Sequence, residues 1–357
     1  MTYSDRVASL IATLEEKVQL GIDLNVQMSG RVPNNATSEF LINKEQGDWA
    51  ERLIHGVVNS QSQKWFAAPY GRQDNLSAGD PGFADFYRKY QDELNDLGKK
   101  PDLLVFRRSD FPDLKPDLSD DNVVMRAVAA LEVRSSAFLE RKYRDFMAER
   151  TRKALMRCGE LKVKLMEGPL ADVLKKRSPI IFDFITSATA ESFRDITFRR
   201  PSWNSSADLR AISSLLAELQ KEIKILQTRD FLSITPKVED IALVSRWINR
   251  FNVPHFYVQV FFDGAFAIPF EQIVSIPTES EKEETCFRIE KDTKNQGKST
   301  IKINVDLARS IVNDIAIPEH KSVMKELARG RLLFFVTFDG ASGLLDQHAL
   351  NGLLDEH

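Results

Sequence analysis

The arrangement with the most chemical content is Pro101-Asp102 followed, 30 positions after the aspartate, by Glu132-Val133-Arg134. Both acids stand at the edge or inside of short apolar runs, DLLVF at 102–106 and AALEVR at 129–134, that read as buried strands. An ionised carboxylate there carries a heavy desolvation cost unless a positive group compensates it. Two such acids on adjacent strands can share a hard divalent cation, which prefers oxygen ligands and keeps several waters. One Asp and one Glu would hold Mg²⁺ with room for a phosphate oxygen and an attacking water, whose pKa the metal lowers. The plainer alternative is that Asp102 caps a turn after proline and Glu132 pairs with a neighbouring arginine.

Periodicity predicts the scaffold around these acids. A first helix fits residues 4–21, with Val7, Leu10, Ile11, Leu14 and Val18 at helical spacing and Ser4 or Asp5 as cap. A second fits 44–59, with Trp49, Leu53, Ile54, Val57 and Val58 on its apolar side. Residues 60–100 read as largely irregular apart from a helix over Phe83–Leu97, and a further helix runs from Ser119 or Asp120 to about Val128. Residues 138–226 read as mostly helical. Their clearest piece carries Leu209, Ile212, Leu216, Leu219 and Ile223 as a stripe, which is usually a packing face. Strands are expected at 231–235, 255–262 and 331–338, with 265–274 returning after an Asp263-Gly264 turn. A loop or hairpin is expected over 278–300 and a short helix over 319–329. The fold class is therefore α/β, a mixed sheet flanked by helices, with residues 1–136 and 230–357 forming a discontinuous core around a mostly helical insertion at 137–229.

Composition narrows the classes. The 357 residues hold 49 Lys and Arg against 52 Asp and Glu, and no run of apolar residues is long enough to span a bilayer, so no membrane partner is expected. The first ten residues lack a charged leader followed by an apolar block, and the default setting is cytoplasmic and reducing. Two cysteines are too few for a disulfide scaffold or a Cys-rich zinc site, and five histidines never fall at ligand spacing. The net charge of −3 hides a local excess, since Arg141–Arg177 carries 12 basic residues against five acids. Such a cluster is either a solvated helix face or a surface for phosphates.

Pro101-Asp102 with Glu132-Val133-Arg134-Ser135-Ser136 resembles the PD-(D/E)XK nuclease pattern. The phrases LEVRSSAFL, SITPKVEDI, VSRWI and VPHFYVQVFFD together resemble AccI-type type II restriction endonucleases, over roughly residues 39–275. That resemblance implies a PD-(D/E)XK restriction-endonuclease-like fold and Mg²⁺-dependent cleavage of double-stranded DNA at a short palindrome, leaving 5′-phosphates. It also implies a homodimer and suggests a hexanucleotide target related to GTMKAC. A two-fold symmetric protein matches a palindrome, and the 207–226 stripe is one possible dimer contact.

One position departs from the pattern. Arg134 stands where the motif has lysine, and arginine stays protonated, so it can clamp a phosphate but is a poor general base. Lys237, in FLSITPK, is the best substitute for positioning or activating the water. An early helix often contributes a glutamate in this superfamily, and Glu51 lies about 20° beyond Val58 on a helical projection, at the margin of the apolar arc. The expected site is then Asp102, Glu132 and Glu51 as metal ligands, with Lys237 and Arg134 as cations. Residues able to read bases in the major groove include Arg72, Gln73, Asn75, Arg199, Arg200, Asn204, Ser205 and Gln259, while Trp203 could pack beneath its loop or touch DNA, packing being the more frequent outcome for a tryptophan. The competing readings are a repair nuclease with the same metal site, a DNA-binding protein with a decayed site, and a helical interaction protein.

Overall fold

In a computed structural model describing residues 1–71, 76–292, 298–327 and 330–356, the chain divides into two units. One comprises Met1–Glu140 with Ser233–His357, the other Arg141–Leu232. In chain order the elements are α1 (Tyr3–Val18), α2 (Ser38–Gln61), β1 (Trp65–Pro69), α3 (Phe83–Leu97), β2 (Leu103–Arg107), α4 (Asp121–Val124) and β3 (Ala129–Ser135). The helical stretch follows with α5 (Glu140–Met166), α6 (Gly168–Arg177), α7 (Pro179–Ser187) and α8 (Ala207–Gln227). Next come β4 (Ser233–Ile234), α9 (Val238–Phe251), β5 (His255–Val260), β6 (Gly264–Pro269), α10 (Phe270–Ser275), β7 (Phe287–Asp292) and β8 (Lys298–Asn304). The chain closes with β9 (Arg309–Asn313), β10 (Glu319–Leu327), β11 (Arg331–Asp339), β12 (Leu344–Leu345) and α11 (Gln347–Asp355).

The first unit is built on a seven-stranded sheet of order β1-β2-β3-β5-β6-β9-β12. The β3–β5 pair is parallel and its other pairs are antiparallel, so the sheet is mixed. Strand alternation decides what each face receives. Leu103, Val105, Leu131 and Val133 pack on Trp49, Leu53, Ile54 and Val57 of α2. On the opposite face lie α9, with Ile241, Val244, Trp247 and Ile248 fully buried, and α1 against α9. Glu132, one step out of phase with its apolar neighbours, faces that second side.

Several expectations change in the folded chain. The segment predicted as a helix at 319–329 is instead strand β10, paired with β11 over nine positions. Lys, Met, Glu and Leu favour a helix, but Val323, Leu327, Leu333 and Phe335 share one face of the ribbon against Leu41 and Ile42, and that burial overrides local propensity. Residues 65–69, predicted to be irregular, form an edge strand whose first four residues are buried. The helix expected through Val128 lasts only from Asp121 to Val124. Helix α1 is capped by Thr2, which accepts from the Asp5 amide while Asp5 accepts from the Thr2 amide.

The second unit is helical. Ile212, Leu216, Leu219, Ile223 and Leu226 of α8 are buried against Leu161, Leu165, Leu174 and Ile185. The apolar stripe at 207–226 is thus consumed within the unit and does not offer a dimer face. Much of the basic charge on α5 is also satisfied locally. Arg152 pairs with Glu149, Arg157 with Glu160 and Glu218, and Lys162 donates to the carbonyls of Thr186 and Ala188.

Candidate active site

Asp102 and Glu132 meet because β2 and β3 run antiparallel. Leu103 pairs with Leu131, and Asp102, the residue before β2, is carried to the end of the ladder beside the segment holding Glu132. The Asp102 amide donates to the Leu131 carbonyl at 3.0 Å, and the Val133 amide donates to Asp102 Oδ2 at 2.7 Å. The Tyr70 and Gly71 amides hold the Asp102 carbonyl at 2.9 and 3.1 Å. A carboxylate tied at backbone and side chain has little freedom. The apolar strand is what makes its position definite.

A cleft of about 420 Å³ opens beside this pair, lined by Lys44, Asp48, Glu51, Asp102, Arg134 and Ser135 among others. Burial raises the Asp102 carboxyl well above the usual aspartate range, with Glu132 and then Glu51 adding repulsion. Glu51 is pushed up to about 7 by burial, then by Asp48 and Glu132. Glu51 of α2, Asp102 just before β2 and Glu132 of β3 therefore lie within each other's field.

Glu132 is 1% exposed and still holds its charge. Burial opposes ionisation, but Lys99 and then Arg134 outweigh it and keep the carboxyl below the usual glutamate range. Lys99 Nζ stands 2.8 Å from Glu132 Oε1 and 2.8 Å from Asp240 Oδ2. Arg134 Nη2 reaches the same two oxygens at 2.7 and 3.1 Å. Two carboxylate oxygens, each touched by both cations, close a four-membered ring of alternating charge. Glu132 Oε2 is buried without a hydrogen-bond partner.

The cation expected from SITPK sits elsewhere. Lys237 is the exposed N-cap residue of α9, its backbone bridged to Thr300, and its charge helps lower the Asp240 carboxyl after those of Lys99 and Arg134. Lys99 was missed because it lies outside any strand. Its signal is local: Gly98 stops α3 in the left-handed region at φ 80°, and the Lys99 amide donates to the Leu243 carbonyl. Pro101 then starts the strand, so LGKKPD turns one lysine inward. Asp240, in the first turn of α9, was likewise unmarked by any motif.

Of the residues expected to read bases, Gln259 is 2% exposed in the centre of the sheet, where its amide donates toward the Arg134 carbonyl. It cannot present its amide to a base edge from there. Arg199, Arg200, Asn204 and Ser205 are exposed on the loop before α8, and Trp203 packs on the core of that unit, the first of its two alternatives. Arg72, Gln73 and Asn75 lie outside the described residues.

A protein-family profile described as AccI restriction endonuclease matches residues 1–357. The chain belongs to that family. That family groups type II restriction endonucleases of the PD-(D/E)XK superfamily, and the mixed sheet flanked by helices is the corresponding fold. Comparisons with curated proteins and with solved structures returned no match.

The family implies Mg²⁺, and the donor set can be tested against it. No group of three or more His, Cys, Asp or Glu side chains with metal-holding geometry occurs among the described residues. Magnesium, however, is commonly held by one or two carboxylates with waters and substrate phosphate completing the shell. Glu132, with its bare, buried Oε2, and Asp102 are the two carboxylates that would supply such donors.

A pH dependence follows from Glu51. Its folded pKa lies above the ordinary value, so between about 4.5 and 7 the folded state holds a proton the unfolded chain has lost. Stability without divalent cations should therefore fall as pH rises through that window. Glu51→Gln should flatten this slope, as measured by urea unfolding from pH 4.5 to 8. An unchanged slope would show that burial and the neighbouring Asp48 and Glu132 do not hold a proton on Glu51.

Proposed function

We propose that this AccI-family protein cleaves both strands of duplex DNA at a short palindromic sequence, using Asp102, Glu132 and Glu51 to bind Mg²⁺. The observation that carries this reading is a cleft where Asp102, tied through its side chain to the Val133 amide next to Glu132, meets Glu51 and Arg134. A bound divalent cation would acidify a water and neutralise charge at phosphorus. The protein's own part is positional. Asp102, fixed by three backbone amides and by its own amide's bond to the Leu131 carbonyl, and Glu132, fixed by two cations, present oxygens in a constant geometry. Arg134, 37% exposed and lining the cleft, supplies a fixed charge for a non-bridging phosphate oxygen. Attack by water on phosphorus breaks the bond to the 3′ oxygen and leaves the phosphate on the 5′ end. Lys237 is not part of this reading, because Lys99 is the cation against Glu132.

Arg199, Arg200 and Asn204 on their exposed loop are proposed as DNA contacts, and a homodimer is proposed to match the palindrome. Supercoiled plasmid incubated with Mg²⁺ should give a small set of discrete fragments whose mapped ends share one sequence and carry 5′-phosphates. Band shifts without cutting in Mg²⁺ or Mn²⁺ would favour a decayed site. Cutting only at junctions, flaps or lesions would favour a repair enzyme.

A further inference from the structure

Glu132 has two oxygens with unequal surroundings. Oε1 receives both Lys99 Nζ and Arg134 Nη2, while Oε2 receives nothing and is buried. A carboxylate can rotate about its last bond, and two donors converging on one oxygen remove that freedom. Those donors are themselves held from behind. Asp240 Oδ2 lies 2.8 Å from Lys99 and 3.1 Å from Arg134, and the helix turn carrying Asp240 is tied by its own amide to the Lys237 carbonyl. Lys99 is anchored a second time through its amide to Leu243, in the same helix.

We propose that Lys99 and Asp240 are positioning residues for Glu132: Lys99 occupies Oε1, leaving Oε2 as the oxygen presented to the divalent cation, and Asp240 keeps Lys99 and Arg134 in register. The inference rests on the nuclease reading above and refines it. Neither residue belongs to the Pro-Asp…Glu-x-Arg motif. Lys99 and Glu132 both lie behind the residues that line the cleft, Val133 and Arg134 among them, and Lys99 acts through Glu132. The site thus combines a cation before β2 with an acid at the start of α9, and Arg134 need not serve alone in place of the motif lysine.

Lys99→Met separates this role from a simple field effect. Removing a positive charge near a metal site should tighten cation binding if only the field mattered. Loss of positioning has the opposite sign, because Glu132 is then free to turn. Calorimetric titration of the full-length protein with Ca²⁺ should show binding weakened about 10-fold or more in Lys99→Met. In the same protein kcat for DNA cleavage should fall by about 10²-fold, with KM for DNA within a few-fold of wild type. Asp240→Asn should weaken Ca²⁺ in the same direction. Unchanged or tighter Ca²⁺ binding in Lys99→Met overturns the proposal. If that variant does not melt cooperatively, Asp240→Asn decides, and wild-type binding there overturns it equally. Failure of the nuclease reading looks different: Glu132→Gln would then leave Ca²⁺ binding by the otherwise intact protein unchanged.

Discussion

Asp102→Asn and Glu132→Gln are each expected to lower DNA cleavage by about 10³-fold or more, while moving stability in opposite directions. Both substitutions remove an oxygen charge from the proposed cation site, so activity falls alike. Their folded surroundings differ. The Asp102 carboxyl is raised by burial, by Glu132 and by Glu51, so its ionised form costs stability above the ordinary aspartate pKa. Asparagine removes that cost and still offers an oxygen to the Val133 amide. The metal-free Asp102→Asn protein should resist urea better than wild type at pH 8. Glu132 is held below its ordinary range by Lys99 and Arg134, so its charge contributes stability that is lost only as pH falls through its folded pKa. Glu132→Gln leaves Lys99 and the partly exposed Arg134 facing one carboxylate; stranding a buried charge costs roughly 3–5 kcal/mol, and solvent at Arg134 brings the loss below that. Equal stability changes in the two variants would contradict the charge arrangement. Retained cleavage in either would contradict the site.

Gly98→Ala should be the most damaging exchange of a single hydrogen for a methyl in the first unit. A Cβ built on Gly98 would stand 2.2 Å from the Leu243 carbonyl oxygen and 2.8 Å from the Trp247 amide nitrogen, both backbone atoms of α9. The residue also sits at φ 80°, where an L side chain is strained. Overlap and strain together predict a loss of roughly 3–5 kcal/mol in urea unfolding. Because the strain falls directly before Lys99, cleavage should drop further than the unfolded fraction explains. Gly56→Ala is the natural contrast. That glycine lies inside α2 with nothing within 4 Å of where the added methyl would stand, so the same exchange should be neutral or stabilising by about 1 kcal/mol. A Gly98→Ala protein as stable as wild type would show that α3 and α9 are not in backbone contact.

How much of this site was readable before folding varies residue by residue. Asp102 and Glu132 stood out because a charge interrupts an apolar strand, which is costly unless it has a purpose. Arg134 was visible as a departure from the motif. Glu51 was placed by helical geometry at the rim of an apolar arc, and it does line the cleft with Asp102. Lys99 and Asp240 carried no such mark. A lysine after a helix and an acid in a first helical turn are ordinary surface features, and only the pairing of α3 with α9 turns them inward. Lys237 looked suitable because it follows a strand, yet that strand is two residues long and joins β8 in another sheet.

The acids, their strands and the family to which they belong follow from local pattern, since a strand's alternation and a helix's period are properties of neighbouring residues. Which cation meets Glu132, which glutamine is buried, and that 319–327 is extended were decided by contacts between distant segments. Charge compensation and cross-strand pairing are nonlocal interactions, and a one-dimensional reading does not contain the distances on which they depend.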